Sequence, residues 1–257
     1  VETPAARFPD GKLFTMWPSA TGAHTWLPMA YSPATGLAYI PVINAGMKVG
    51  DEGIDLENWQ PPLDRSPGGA MTLLLDTLHE DPAQGTGTLL AWNPVTQKPV
   101  WKIAQPTYVN GGLMATGGGL LFQGSVDGKF TAYDASNGKI IWSFAAGAPL
   151  IAPPITYNAG GRQYVSVLTG LGTTMGLNGT LLQKYGVDPR RQARRLLTFT
   201  LGGAARLPTG DAPPPAFADD PDFRPNPVGA KAGEMIYAVH CMACHGMSVA
   251  SAPHAPD

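Results

Sequence analysis

Residues 91–101 and 132–142 are two copies of one pattern. Ala91-Trp92-Asn93-Pro94-Val95-Thr96-Gln97-Lys98-Pro99-Val100-Trp101 is answered by Ala132-Tyr133-Asp134-Ala135-Ser136-Asn137-Gly138-Lys139-Ile140-Ile141-Trp142. Each copy runs from Ala and an aromatic through Asn or Asp to a closing Trp, and the copies are one period of roughly forty residues apart, the length of a four-stranded propeller blade. Between and around them lie short strand-like runs: Leu37 to Val42, Leu120 to Gln123, Lys129 to Tyr133, Ile155 to Tyr157 and Gln163 to Leu168. Turn signals at Asp127-Gly128, Asn137-Gly138 and Ala159-Gly160-Gly161 separate the later ones into hairpins. Glycine (32) and proline (26) punctuate these runs instead of forming one tract, as expected of an all-β chain with many turns. The repeated Trp reads as packing: a flat indole fills the seam between blades while small Ala and Gly let the sheets approach.

Four other stretches depart from this rhythm. Residues 44–87 lack a period and mix Gly, Pro, Asp and Glu, so they read as a long excursion at an active-site mouth. Asp76, His79, Glu80 and Asp81 within it lack zinc or EF-hand spacing and read as a solvated acidic loop. Arg190 to Arg195 reads as a short exposed basic face. Gly117-Gly118-Gly119 and Gly170-Leu171-Gly172 read as tight turns, since no P-loop Lys follows either and neither opens a helix after a strand. His24 reads as a packed or hydrogen-bonded histidine.

Residues 208–227 concentrate Pro, Ala and Asp, the composition of a semi-rigid tether. The organisation expected is a partial propeller over 1–205, a linker over 206–228 and the start of a second domain over 229–257. From Gly229 onward, Lys231, Glu234, Ile236 and Tyr237 suit an amphipathic helix leading to the only two cysteines. Those two stand in Cys241-Met242-Ala243-Cys244-His245, the pattern for covalent attachment of haem c: two thiols form thioethers and the next imidazole, His245, is the proximal iron ligand. A redox pair or half a zinc site uses the same cysteines, yet no second pair exists and the other histidines lack finger spacing. Met247 is too close to His245 to supply the sixth ligand, and His240 and His254 read as bystanders. A cytochrome domain ending at Asp257 is therefore expected to be incomplete, and the chain a fragment.

Charge narrows the partners. The net charge is −2 and charged residues make up 14% of the chain, which gives no basic surplus for nucleic acid. No apolar stretch approaches the roughly 18 to 20 residues needed to cross a bilayer, and no signal sequence follows Val1.

These motifs, in this order, resemble the quinohaemoprotein alcohol dehydrogenases, in which an eight-bladed propeller holding pyrroloquinoline quinone precedes a cytochrome c domain. The resemblance rests on Gly22-Ala23-His24-Thr25-Trp26-Leu27-Pro28-Met29, Gly87-Thr88-Leu89-Leu90-Ala91-Trp92, Asn110-Gly111-Gly112, Phe122-Gln123-Gly124 and Ile151-Ala152-Pro153-Pro154-Ile155-Thr156-Tyr157. It implies an all-β fold of C-terminal propeller blades followed by the start of an α-helical cytochrome. It also implies quinone contacts at Thr25, where the family has Asn, and at Trp26. Gly170 and Leu171 stand where the family has a Gly-Trp turn, so the indole is lost there. The cofactors implied are pyrroloquinoline quinone, haem c held by Cys241, Cys244 and His245, and calcium, whose ligands are expected upstream of Val1 with the general base. The family's adjacent-cysteine disulfide is likewise expected upstream, and no catalytic residue is assigned within the chain.

The function implied is oxidation of a small-molecule alcohol in the periplasm. Electrons then pass through quinone and haem to an external acceptor such as a cytochrome, a copper protein or a quinone. Two other readings compete: a non-catalytic scaffold built from the same repeat, which has no use for the haem motif, and an electron-transfer module in which the propeller only docks a partner.

Overall fold

The computed structural model describes residues 14–19, 22–50, 58, 72–74, 86–105, 107–108, 110–171, 193–208, 222, 224 and 226–240. Among them, fourteen strands form four antiparallel sheets, and one helix follows. The first full blade contains β2 (Ala30–Ser32), β3 (Leu37–Asn44), β6 (Thr86–Asn93) and β7 (Lys98–Gln105), hydrogen-bonded in that order. The second contains β8 (Asn110–Ala115), β9 (Leu120–Ser125), β10 (Lys129–Asp134) and β11 (Ile140–Ala145). A third sheet follows from β12 (Ile155–Ala159), β13 (Arg162–Leu168) and β14 (Leu196–Phe199). The remaining sheet joins β1 (Phe14–Met16), β4 (Met47–Gly50) and β5 (Thr72–Leu74), the last two arising from the expected excursion between β3 and β6.

Each expected strand, and the turns at Asp127-Gly128, Asn137-Gly138 and Ala159-Gly160-Gly161, is present; Gly170 instead of a tight turn makes a parallel bridge to Leu150, and Gly172 lies outside the described residues. The alternation on β3 puts Leu37, Tyr39, Pro41 and Ile43 on its buried face. Gly160 and Gly161 both hold positive φ (56° and 75°) in the two-residue loop from β12 to β13, the backbone that a tight hairpin requires. Gly117, Gly118 and Gly119 form the β8–β9 turn, which Thr116 closes by donating its N–H to the Leu120 carbonyl at 2.8 Å.

The repeat is the third hairpin arm of each full blade, and its two copies fold alike. Ala91 faces Trp101 across β6 and β7, Ala132 faces Trp142 across β10 and β11, and both ladders carry a bulge immediately after the alanine. At each turn a side chain grips the backbone: Asn93 Oδ1 accepts from the N–H of Val95 and Thr96, and Asp134 Oδ1 from that of Ser136.

The seams hold the core. Leu37, Tyr39, Leu89 and Ala91 of the first blade meet Leu113, Leu121, Tyr133 and Ala135 of the second. Trp101 packs against this cluster, and its Nε1 donates to the Ala135 carbonyl at 3.2 Å. The same carbonyl accepts from the Tyr39 hydroxyl at 2.8 Å, so two aromatic side chains of one blade dock on one peptide of the next. Gly138 allows this, since a Cβ there would lie 2.9 Å from the Trp101 ring. At the next seam Trp142, Phe130, Phe144 and Phe199 pack edge-to-face or stacked, with ring centroids 5.0 to 6.1 Å apart.

After the third sheet, α1 (Pro227–His240) forms where an amphipathic helix is expected. Asn226 caps it, its Oδ1 accepting the Gly229 N–H at 3.0 Å, and Pro227 occupies the first helical position, where no N–H is needed.

Candidate functional site at the loop-bearing end of the propeller

Strand direction divides the blades into two ends. The starts of β2, β8 and β12, the β9–β10 turn, the end of β3 and start of β6, and the end of β13 and start of β14 all lie at one of them. Short hairpins close the other. Function on such a scaffold is expected where the long loops gather.

Backbone hydrogen bonds lace the blades together at this end. Leu113 N–H donates to the Pro28 carbonyl at 2.9 Å, Gly112 N–H to Ile151 at 3.3 Å and Gly170 N–H to Pro149 at 2.7 Å, while Leu150 and Gly170 form a parallel bridge. The approach is close enough to demand glycine at position 112, where a Cβ would stand 2.6 Å from Pro28 Cδ. Beneath this lacing a buried cluster gathers Leu27, Ile43, Ala45, Tyr108, Val126, Ile151 and Leu171.

The cluster brings together two segments that are far apart in sequence. Leu27 adjoins Thr25 and Trp26; Leu171 adjoins Gly170. The first segment is pinned by Ile43 N–H donating to the Ala23 carbonyl at 2.8 Å and by a 3.0 Å hydrogen bond between His24 Nε2 and the Leu27 carbonyl. His24 is thus a hydrogen-bonded histidine, as its isolation suggests. Trp26 is left 57% exposed, presenting a flat apolar face at the loop-bearing end, and Thr25 beside it is half-buried. Leu171 is buried in the cluster and Gly170 is half-buried, with φ at 119°, a backbone that favours glycine. All four expected quinone-site residues therefore converge on one end, Leu171 from below.

Sequence reasoning missed a polar network beside them. Gln105 Nε2 donates to Gln123 Oε1 at 2.6 Å, Asn110 Nδ2 to Gln105 Oε1 at 2.9 Å, and the Thr107 hydroxyl to Asn110 Oδ1 at 2.6 Å. Gln123 Nε2 reaches the Gly111 carbonyl at 3.0 Å. All four residues are buried, and the network ties the end of β7 to the start of β8 and to β9. Nearby, burial alone would raise the Asp127 carboxyl, but hydrogen bonds from Lys129 and Ser125 and the Lys129 charge hold it below the ordinary carboxylate range.

Cys241, Cys244 and His245 lie outside the described residues, as do Asp76, His79, Glu80 and Asp81. Among the described residues no group of three His, Cys, Asp or Glu side chains could hold a metal ion. No helix among them is long and apolar enough to cross a membrane.

Four-stranded blades with a tryptophan-sealed repeat and one loop-bearing end define the class: a β-propeller of the quinoprotein type. Residues 76–165 match the family described as "Glucose/ethanol/alcohol dehydrogenase, beta-propeller domain". The quinohemoprotein alcohol dehydrogenase ADH IIB of Pseudomonas putida is 37% identical over all of this chain and 36% of its own length. The solved structure of ADHIIG from Pseudomonas putida HK5 superposes with a TM-score of 0.76 at 34% identity, over 98% of this chain and 37% of that one. That of the Comamonas testosteroni quinohemoprotein alcohol dehydrogenase does so at 0.67 and 33%, over 96% and 35%. Over nearly its whole length the chain is similar to quinohaemoprotein alcohol dehydrogenases, and it spans about a third of the length of these relatives.

Proposed function

We propose that this chain is the part of a periplasmic, quinone- and haem c-dependent alcohol dehydrogenase that supplies one side of the quinone site and the covalent haem anchor. One observation carries the reading: Leu27, next to Trp26, and Leu171, next to Gly170, lie far apart along the chain yet share one buried cluster at the loop-bearing end. Pyrroloquinoline quinone fits the residues present there. The exposed Trp26 indole offers a planar surface for a planar ring system, the Thr25 hydroxyl can donate one hydrogen bond, and the cluster beneath holds a buried hydroxyl at Tyr108 that no described group satisfies.

When bound, the quinone accepts the two electrons removed from an alcohol. The chain's own residues do the holding. Buried Leu27 and the Pro28–Leu113 hydrogen bond hold the backbone that carries Trp26. Leu171 fills the cluster floor and excludes water from it.

Cys241 and Cys244 would form the two thioether bonds to haem and His245 would ligate its iron, at the end of the capped helix α1. We read residues 1–205 as propeller, 206–228 as tether and 229–257 as the opening of the cytochrome domain. The tether would bring haem within electron-transfer range of the propeller, and an external acceptor would take electrons from it.

The test is alcohol-dependent dye reduction by the native gene product. The reading predicts activity that is lost on removing quinone and restored by adding it back. Activity that persists without quinone, or a protein that never acquires haem at Cys241 and Cys244, contradicts it.

A further inference from the structure

Tyr108 stands just before β8 with 7% of its surface exposed. Every other member of its cluster, Leu27, Ile43, Ala45, Val126, Ile151 and Leu171, is apolar, and among the described residues none hydrogen-bonds the Tyr108 hydroxyl. Buried phenols ordinarily find a partner, because a buried donor left unmatched is destabilising. The buried Tyr39 obeys this: it donates to the Ala135 carbonyl at 2.8 Å and meets Thr35 Oγ1 at 2.7 Å. Tyr108 does not, and it sits in the cluster that also holds Leu27, next to Trp26, and Leu171, next to Gly170.

We propose that the Tyr108 hydroxyl donates a hydrogen bond to a carbonyl or carboxylate oxygen of the bound quinone, which makes Tyr108 a cofactor-binding residue. The proposal rests on the quinone reading above. Burial pushes the phenol far above its ordinary range, so the group remains a protonated donor at any working pH and suits an acceptor oxygen. The donor is also pre-positioned. Its ring is packed in the same apolar cluster as Leu27 and Leu171, so little ordering is left to be done when the ligand arrives.

The experiment compares the native gene product with its Tyr108→Phe variant, both freed of quinone and kept in calcium. Thermal midpoints are measured first, then pyrroloquinoline quinone is titrated against tryptophan fluorescence, and the alcohol KM is taken last. The proposal predicts an unchanged or higher quinone-free midpoint for the variant, since the hydroxyl removed had no protein partner. It also predicts a quinone Kd weakened about tenfold.

A lowered midpoint, or a variant that fails to fold, overturns it, because the hydroxyl is then satisfied within the protein. Equal quinone affinity overturns it too, and a raised alcohol KM in that case moves the hydrogen bond to the substrate. Wild-type protein that binds no quinone defeats the quinone reading itself, whatever the variant does.

Discussion

Gln97 and Gly138 hold the same place in the two copies of the repeat and the same left-handed backbone, with φ of 54° and 75°. Glycine adopts it freely and glutamine does not. Replacing Gln97 with Gly is expected to raise stability by up to about 1 kcal/mol in denaturant unfolding. Gly138→Ala combines the left-handed penalty with a Cβ driven into the Trp101 ring, and is expected to cost about 2–3 kcal/mol. Asp127 gives a pH signature. Its folded carboxyl titrates below its unfolded value, so the stabilisation is present above the unfolded pKa and lost as pH falls through the folded one. The stability gap between wild type and Asp127→Asn should therefore close as the pH falls below about 4, and a gap that persists there would contradict the ion pair with Lys129. The repeat, the turns and the seam tryptophans were legible at this scale because spacing alone reveals them. Tyr108 was not, since a lone tyrosine before Asn110-Gly111-Gly112 looks like any strand residue until its surroundings are known.

At the scale of elements, the blades are joined by side chains that cross from one sheet to the next. Trp101 is the test case. Trp101→Phe keeps most of the contact with the Gly138 turn but removes the hydrogen bond to Ala135, and is expected to cost about 1 kcal/mol. Trp101→Ala empties the seam and is expected to cost about 3–5 kcal/mol by the same unfolding measurement. Equal losses for the two variants would mean that packing contributes nothing. The strands themselves follow from alternation and turn chemistry, which are local. The Gln105–Asn110–Gln123 network does not: amides spread over three strands have no spacing that a sequence reading can detect, and only the pairing of β8 with β9 gathers them. The convergence of Trp26 with Leu171 likewise depends on blade order, and in the sequence it could be reached only through resemblance.

For the molecule as a whole, the third sheet leaves a large apolar surface in water. Ile155, Leu168 and Leu196 are 56 to 64% exposed and Tyr157 is 41% exposed. Patches of this kind mark surfaces that pack against something. Residues 1–257 expressed alone are therefore expected to self-associate in size-exclusion chromatography, and a cooperatively melting monomer would show that the exposed face needs no cover. The proposed function joins the two halves of the chain: electrons taken from an alcohol at the propeller would reach a haem held by Cys241, Cys244 and His245. The most direct measurement is the visible spectrum of the quinone-loaded native gene product when an alcohol is added anaerobically without any dye. The account predicts the bands of reduced haem c, and their absence once quinone is removed. A haem that stays oxidised while alcohol is consumed, or one reduced equally well without quinone, would contradict it.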